Sequence, residues 1–432
     1  MKQLKQFVPL ILFFIFIMPF NAGAEDIIKK GESLNLERCI EIALKRQPVI
    51  IAAMSTANAN QSKIGEAKAN YYPQIDWSSS ASRTSVGPRT SFGFATRSVI
   101  FNSYSTGVTL NQNIFDFGKT ASQVEIQKLN YDSSLSDFGN VSVQIILSVK
   151  QAYYGVLQAK RNRDVAADTV KQFQQHLDQA KGFYEVGTKP RFDVTKAVVD
   201  LSNAKLNLIK AENALRIAVA NLNNAMGVPD APGYEVEDNL SFKKYGITFD
   251  DAVSKAYQNR PDLKSIIAKK QAAESSIELA KKDYYPVLTG TAGYDYAGNA
   301  FPLERGWNIG ATFSFPLFSG FLTKYQVEEA KANLNVLNAN EESLRQNIFL
   351  EVQQAYLNLK EAEDSIPTAE LTVQQAQENF EIANGRYAAG VGNPIEVTDA
   401  EVSLLNAKLS YIQALYNYKV SQASLEKAMG MK

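Results

Sequence analysis

Proline is missing from one very long stretch of this chain. Between Lys119 and Gly182 there is no Pro and only isolated Gly. Nothing in the backbone chemistry there interrupts a helix of about 64 residues, or about 96 Å at 1.5 Å per residue. A second such stretch runs from Thr323 to Gly385, with Pro367 read as a kink or local break. Globular helices rarely exceed about 20 residues, so helices this long must pack lengthwise on other long helices. The segments that follow carry the seams. Val194, Ala197, Leu201, Ala204, Leu208, Ala211, Leu215, Ala218, Leu222 and Ala225 step by threes and fours. So do Val397, Ala400, Leu404, Ala407, Tyr411, Ala414, Tyr418, Ser421, Leu425 and Ala428. Large and small residues mix along each seam, which lets helices approach and interdigitate. The long helix has its own seam: Tyr131, Leu135, Phe138, Ser142, Ile145, Val149, Ala152 and Val156. The other faces are rich in Gln, Asn, Ser and Lys. That suits a helical wall wet on both sides, and equally an antiparallel coiled-coil bundle with no lumen.

The chain is written twice. Tyr71-Tyr72-Pro73 recurs as Tyr284-Tyr285-Pro286, and Ile114-Phe115-Asp116-Phe117-Gly118 as Pro316-Leu317-Phe318-Ser319-Gly320. Tyr184 with Gly187 recurs as Tyr387 with Gly390, and Met226-Gly227 as Met429-Gly430. The spacing falls after the first strand pair, which places an insertion in the first copy, in a loop from Ser85 to Ser103. Each copy reads as short helix, medium helix, two strands, very long helix, turn and long helix. The expected division is residues 25–227 for the first repeat, 228–246 for a linker and 247–432 for the second repeat. The medium helix and the helix after the turn, placed end to end, nearly match the long helix in length.

Four segments alternate with the period of a strand, near residues 73–85, 104–115, 286–297 and 306–316. Tyr104, Thr106, Val108, Leu110 and Ile114 share one face; Ser105, Gly107, Thr109, Asn111 and Asn113 share the other. Trp307, Ile309, Ala311, Phe313 and Phe315 oppose Asn308, Gly310, Thr312 and Ser314. A soluble antiparallel sheet would alternate in the same way. Here the non-apolar faces are small and neutral rather than charged. Trp77, Tyr104, Tyr294, Tyr296 and Trp307 sit where interfacial girdles would lie. Strands of about 10 residues also fit a tilted membrane strand. Four strands cannot close a membrane barrel, whose minimum is about 8, and open edges are excluded in lipid. A membrane role therefore requires several copies.

The remaining sequence narrows the function. Lys2 and Lys5, the apolar run Phe7 to Phe20 and Ala22-Gly23-Ala24 read as a signal peptide, residues 1–24. No later run is apolar enough for a transmembrane helix. Lys plus Arg and Asp plus Glu balance at 45 each, which argues against a nucleic-acid surface. The single Cys39 cannot form an internal disulfide. The single His176, in a polar helical stretch, reads as a solvated face residue. No triad, metal cluster or phosphate loop is present, so no enzyme and no cofactor are expected.

In its duplication, Tyr-Tyr-Pro turns, strand exits and paired tip turns, the mature chain resembles the TolC family of outer-membrane efflux proteins. The resemblance implies a mainly α fold with membrane β. Four strands per chain would form a 12-stranded barrel in a homotrimer embedded in outer-membrane lipid, above a coiled-coil helical barrel in the periplasm of a Gram-negative bacterium. It implies docking to a periplasmic adaptor and an inner-membrane transporter, and a passive exit duct for small molecules or secreted polypeptide. Its tip turns run Tyr184 to Val194 and Tyr387 to Val397. The docking positions are Gly187, Thr188, Gly390, Val391 and Gly392. The aperture residues are Glu396 and Asp399, one helical turn apart, with Tyr387 and Asp193. Gly392 stands where the family often has a basic residue, and Lys189 or Arg191 of the other turn are the candidates to replace it. Acids in a first helical turn also complement the helix dipole without any gate. The competing reading is a non-channel periplasmic coiled-coil adaptor or scaffold.

Overall fold

The computed structural model describes residues 28–87, 90–91, 94–95 and 99–431; the signal peptide lies outside them. The elements run in order as β1 (Ser33–Leu34), α1 (Leu36–Arg46), α2 (Pro48–Lys68), β2 (Gln74–Val86), β3 (Thr90–Ser91), β4 (Phe94–Ala95), β5 (Val99–Phe115), α3 (Lys119–Glu185) and α4 (Arg191–Met226). The segment between the copies carries β6 (Glu235–Val236), and the second copy follows with α5 (Phe249–Asn259), α6 (Pro261–Lys281), β7 (Val287–Gly298), β8 (Glu304–Ser314), α7 (Leu322–Ala388) and α8 (Pro394–Ala428). Both long helices have 67 residues, about 100 Å each. Among the described residues no helix is long and apolar enough to cross a membrane.

Pro367 does not break α7. It removes one backbone donor and frees the carbonyl of Glu363. Ile366 and Ala362 beside it are packed in the core, and that packing holds the helix through the missing bond.

The helices form a wall. In the half nearer the strands the order across it is α2, α3, α6, α7; in the other half it is α4, α3, α8, α7. The two continuous helices are thus shared, and the shorter ones are stacked in pairs. Gln47 closes α1 and opens α2, and its amide nitrogen also donates to the carbonyls of Asn224 (2.7 Å) and Ala225 (3.1 Å) at the end of α4. One side chain so joins two stacked helices and satisfies carbonyls that a helix end leaves open. In the second copy Arg260 holds the same place. It is buried, donates to the carbonyl of Ala428 at 3.1 Å and is paired with Asp262 and Glu351. Gly227 and Gly430 both have positive φ, and a Cβ on either would press on the backbone of the facing joint residue at 3.0 Å or less.

Every seam residue of α4 and α8 is buried or partly buried. The α3 seam departs from expectation at its start. Leu135 is exposed, and Ser133 and Ser134 are buried instead. Here α3 is clasped by α2 and α6 on two sides. Small serines admit both neighbours, and Ser133 bonds to Ser265 of α6 at 3.0 Å while Ser134 accepts from Asn60 of α2.

The main core is a belt around the midpoints of α3 and α7. It joins Val149, Tyr153 and Leu157 to Val352 and Leu359, to the ends of α4 and α8, and to the segment between the copies. Tyr153 donates to the carbonyl of Glu237 at 2.7 Å and Tyr418 to that of Lys243 at 2.6 Å. β1 and β6 pair in parallel across the same segment. Cys39 is buried in this belt, and burial pushes its thiol up to about 12, which leaves it inert.

The strands form one antiparallel sheet in the order β2-β5-β7-β8. Its register aligns Trp77, Val108, Tyr294 and Trp307 in one row and Ile75, Leu110, Ala292 and Ile309 in the next. Trp77 and Trp307 are 73% and 75% exposed. The opposite face carries Asp76, Thr109, Gly293 and Asn308 in one row, and Ser78, Gly107, Asp295 and Gly306 in another. A Cβ on Gly107 would meet the Cβ of Asp295 at 2.7 Å, so a glycine there makes room for the side chain next door. The insertion placed in a loop is partly strand: β2 and β5 extend as a hairpin pairing Ser82–Val86 with Val99–Ser103.

Gly227→Val should lower stability by about 1–3 kcal/mol, because it forces a side chain into a positive φ against the backbone of Arg46 and Gln47 at the α1–α2 joint. Gly155→Ala, with open space around it, should be neutral or stabilising by up to about 1 kcal/mol. Thermal unfolding in detergent compares them; equal losses would contradict the stacked-joint account.

Candidate functional site: the helical tips

Each long hairpin ends in a tight turn. After α3, Gly187 takes φ +76, and the amides of Gly187 and Thr188 return to the carbonyls of Tyr184 (3.0 Å) and Phe183 (2.9 Å). After α7, Gly390 takes φ +80, and the amides of Val391 and Gly392 both return to the carbonyl of Arg386. Glycine suits this left-handed cap. Asn393 then caps α8 by accepting from the amide of Ile395 at 2.9 Å, with Pro394 as its first residue.

Gly392 is buried. A Cβ there would lie 2.6 Å from the amide nitrogen of Tyr387, so no basic side chain fits at this position without moving the turn. Lys189 of the other turn reaches across instead. Its ammonium donates to the carbonyl of Gly392 at 3.1 Å and sits 5.5 Å from the centre of the Tyr387 ring. Arg191 is exposed and takes no such part.

Tyr387 is the hub of the contact between hairpins and is fully buried. Its ring packs on His176 at 4.9 Å and edge-on to Phe183 at 5.6 Å. Its hydroxyl lacks a well-formed hydrogen bond. Burial, and then the neighbouring Asp193 carboxylate, push the phenol up to about 12, so it stays protonated at any physiological pH. Asp193 is itself 4% exposed.

Glu396 and Asp399 stand apart from this packed group. Both are exposed, on one face of the first turns of α8. Arg386 lies 3.8 Å from Glu396, an exposed pair worth little. Gly187, Thr188, Gly390 and Val391 are exposed at the extreme end. The predicted residues thus separate into an inner tie, Tyr387 with Asp193, and an exposed set. Among the described residues no group of three His, Cys, Asp or Glu side chains converges as a metal site.

The sequence reading missed three residues here. Thr398 of α8 donates to Asp200 of α4 at 3.0 Å, and Lys196 holds the same carboxylate at 2.9 Å. The spacing of Asp200 two turns beyond Asp193 puts both on one face, which was the available signal. His176 was read as solvated, yet it is 6% exposed. The Gln-rich face of α3 that carries it is turned to the second hairpin, so polarity there does not mark solvent.

The family description "Outer membrane efflux protein" matches residues 39–228 and 252–431, most of the chain and both copies of the repeat. The chain belongs to the outer membrane efflux protein family. It is 24% identical to the outer membrane protein TolC of Escherichia coli K12 over 425 residues, covering 93% of this chain and 83% of that protein. Its fold matches a solved structure of CusC with a TM-score of 0.78 at 20% identity, covering 92% of each chain. It also matches the outer membrane channel CmeC of Campylobacter jejuni with a TM-score of 0.76 at 21% identity, over 91% of this chain and 85% of that one. As a member of this family the protein acts in efflux at the outer membrane, and the adaptor reading is not favoured.

Lys189→Met should remove the link between turns without disturbing either helix. Amide exchange over residues 386–393 is expected to rise about fivefold to tenfold, the equivalent of a charged hydrogen bond worth roughly 1 kcal/mol or more. Exchange at the wild-type rate would show that Lys189 holds nothing there.

Proposed function

We propose that three copies of this chain pool their strands into one 12-stranded barrel, continued by the helices as a passive exit duct without catalytic activity of its own. The observation that carries the reading is the four-stranded sheet, apolar on one face and open at both edges, fused to helices about 100 Å long. In lipid, unpaired edge groups cost several kcal/mol each. β2 of one copy beside β8 of the next satisfies them, and closure by three copies leaves none.

The tips form the gate. Tyr387 and Asp193 hold the second hairpin to the first, and Lys189 takes the place of the missing basic residue at 392. Glu396 and Asp399, three copies of each, ring the aperture and favour cations. Gly187, Thr188, Gly390 and Val391 offer the end surface to a periplasmic adaptor, with the buried Gly392 shaping the turn beneath them, and through that adaptor an inner-membrane transporter supplies the driving force. Small molecules or secreted polypeptide are the cargo.

Planar-bilayer recordings of the detergent-extracted oligomer test this. Discrete, cation-preferring steps are expected. Replacing Glu396 and Asp399 together with Ala should raise conductance and reduce cation preference several-fold. A folded oligomer that never conducts would overturn the duct, and unchanged selectivity in the double variant would overturn the acidic ring.

A further inference from the structure

Behind the tip lies a cavity of about 160 Å³, enclosed by α3, α7 and α8. Gln172, His176, Gln179, Asn384 and Glu401 give it a polar lining. Two of these groups are unusual for their surroundings. His176 is 6% exposed and neither ring nitrogen has a hydrogen-bond partner. Glu401 is 2% exposed, and the amide of Gln172, turned with its nitrogen toward the carboxyl, donates to it at 3.0 Å. They sit on opposite hairpins, His176 on α3 and Glu401 on α8. The imidazole is also what Tyr387 packs against, so this cavity belongs to the joint between the hairpins.

We propose that His176 and Glu401 work as one proton pair: a single proton stays with the pair whether the hairpins are packed or parted, resting on Glu401 when they are packed and on His176 when they part. No other atoms move between groups, and water entering the opened cavity carries the proton across. The inference rests on the tips being a moving gate.

The charges around the pair set its preferences. Burial holds the imidazole below its ordinary value of 6.5, against Asp200 and Asp193 of α4, while Lys196 of α4 adds to the lowering. The uncharged Tyr387 of α7 faces it as well. Burial pushes the Glu401 carboxyl from its ordinary 4.5 up to about 7, with Lys408 of the same helix pulling the other way. In the packed state Glu401 is therefore protonated below about pH 7, and His176 takes up a proton less readily than a free imidazole. In the parted state, wet and unshifted, Glu401 is ionised and His176 charged from pH 4.5 to 6.5.

The signs then oppose each other. The raised carboxyl weakens packing as pH rises from 4.5 to about 7. The lowered imidazole weakens packing as pH falls below 6.5. Each alone would change the packing equilibrium by up to about tenfold per pH unit in each protomer. Together they take up no net proton on opening across the shared range, and the joint is indifferent to pH there.

The test is the opening equilibrium of the tip in the whole detergent-solubilised protein. It is read from amide exchange over residues 172–179 and 397–404, corrected for the intrinsic pH dependence, between pH 5 and 6.5. The wild type should change by less than about twofold. H176Q should open more as pH rises, and E401Q should open more as pH falls, each by several-fold up to about tenfold per unit. The double variant should again be flat. A wild type with a steep response, or single variants as flat as the wild type, would overturn the pair. Because the chain has one histidine, its imidazole resonance in the wild type gives a reading that needs no variant. Its midpoint should lie below 6.5, and a midpoint at or above 6.5 would overturn the proposal. None of these readouts uses conductance, so a protein that never conducts would sink the duct reading while leaving the proton pair to stand or fall by itself.

Discussion

Backbone groups at the two open edges of the β-sheet govern everything else in this molecule. β2 and β8 each present a row of amides and carbonyls with no strand beside them among the described residues of one chain. Their apolar side chains, Trp77 and Trp307 among them, stand out from one face. A sheet with a greasy face and unsatisfied edges is tolerated neither by water nor by lipid until the edges meet others like themselves. The length of the helices follows from the same demand. A sheet committed to the membrane needs a long rigid extension if the chain is to act at a distance from it.

The duplicated chain solves the two halves with different chemistry. Gln47 and Arg260 occupy equivalent joints, each capping one helix while opening another. The first is neutral and half exposed. The second is buried in a cluster with Asp262 and Glu351, and its burial is offset only because both carboxylates are present. The tips diverge in the same way. The first turn supplies the cation, Lys189, and the second supplies the acceptor carbonyl and the ring beneath it. The two turns have diverged into complementary halves, one giving the donor and the other the acceptor.

Much of this was readable in the sequence because the strongest signals are periodic. The seams of α4 and α8 follow from steps of three and four. The Tyr-Tyr-Pro breaks place the start of β2 and β7. Gly187 and Gly390 mark turns that need a positive φ. What escaped the reading depends on a residue having more than one neighbour. Ser133 is buried and Leu135 exposed because α3 is gripped from two sides, and a single-stripe pattern has no means of expressing that. His176 lies among glutamines, a polar context that described a second protein surface rather than water. The continuation of the hairpin into Val86 and Val99–Ser103 passed for a loop because the mismatch in repeat spacing marks an inserted segment without saying whether it is paired, and its pairing is a matter of backbone register.

The position of the core has a mechanical meaning. Its buried belt grips α3 and α7 near their midpoints, leaving arms of roughly 50 Å on either side whose own packing is lighter. Such a column behaves as a beam clamped at its centre. A tilt of about 5° at the belt sweeps the free end through about 4 Å over that length, more than the reach of any hydrogen bond there. Small adjustments at the clamp are therefore enough to break or remake every contact at the tip, while the strand end, held in its sheet, stays where it is.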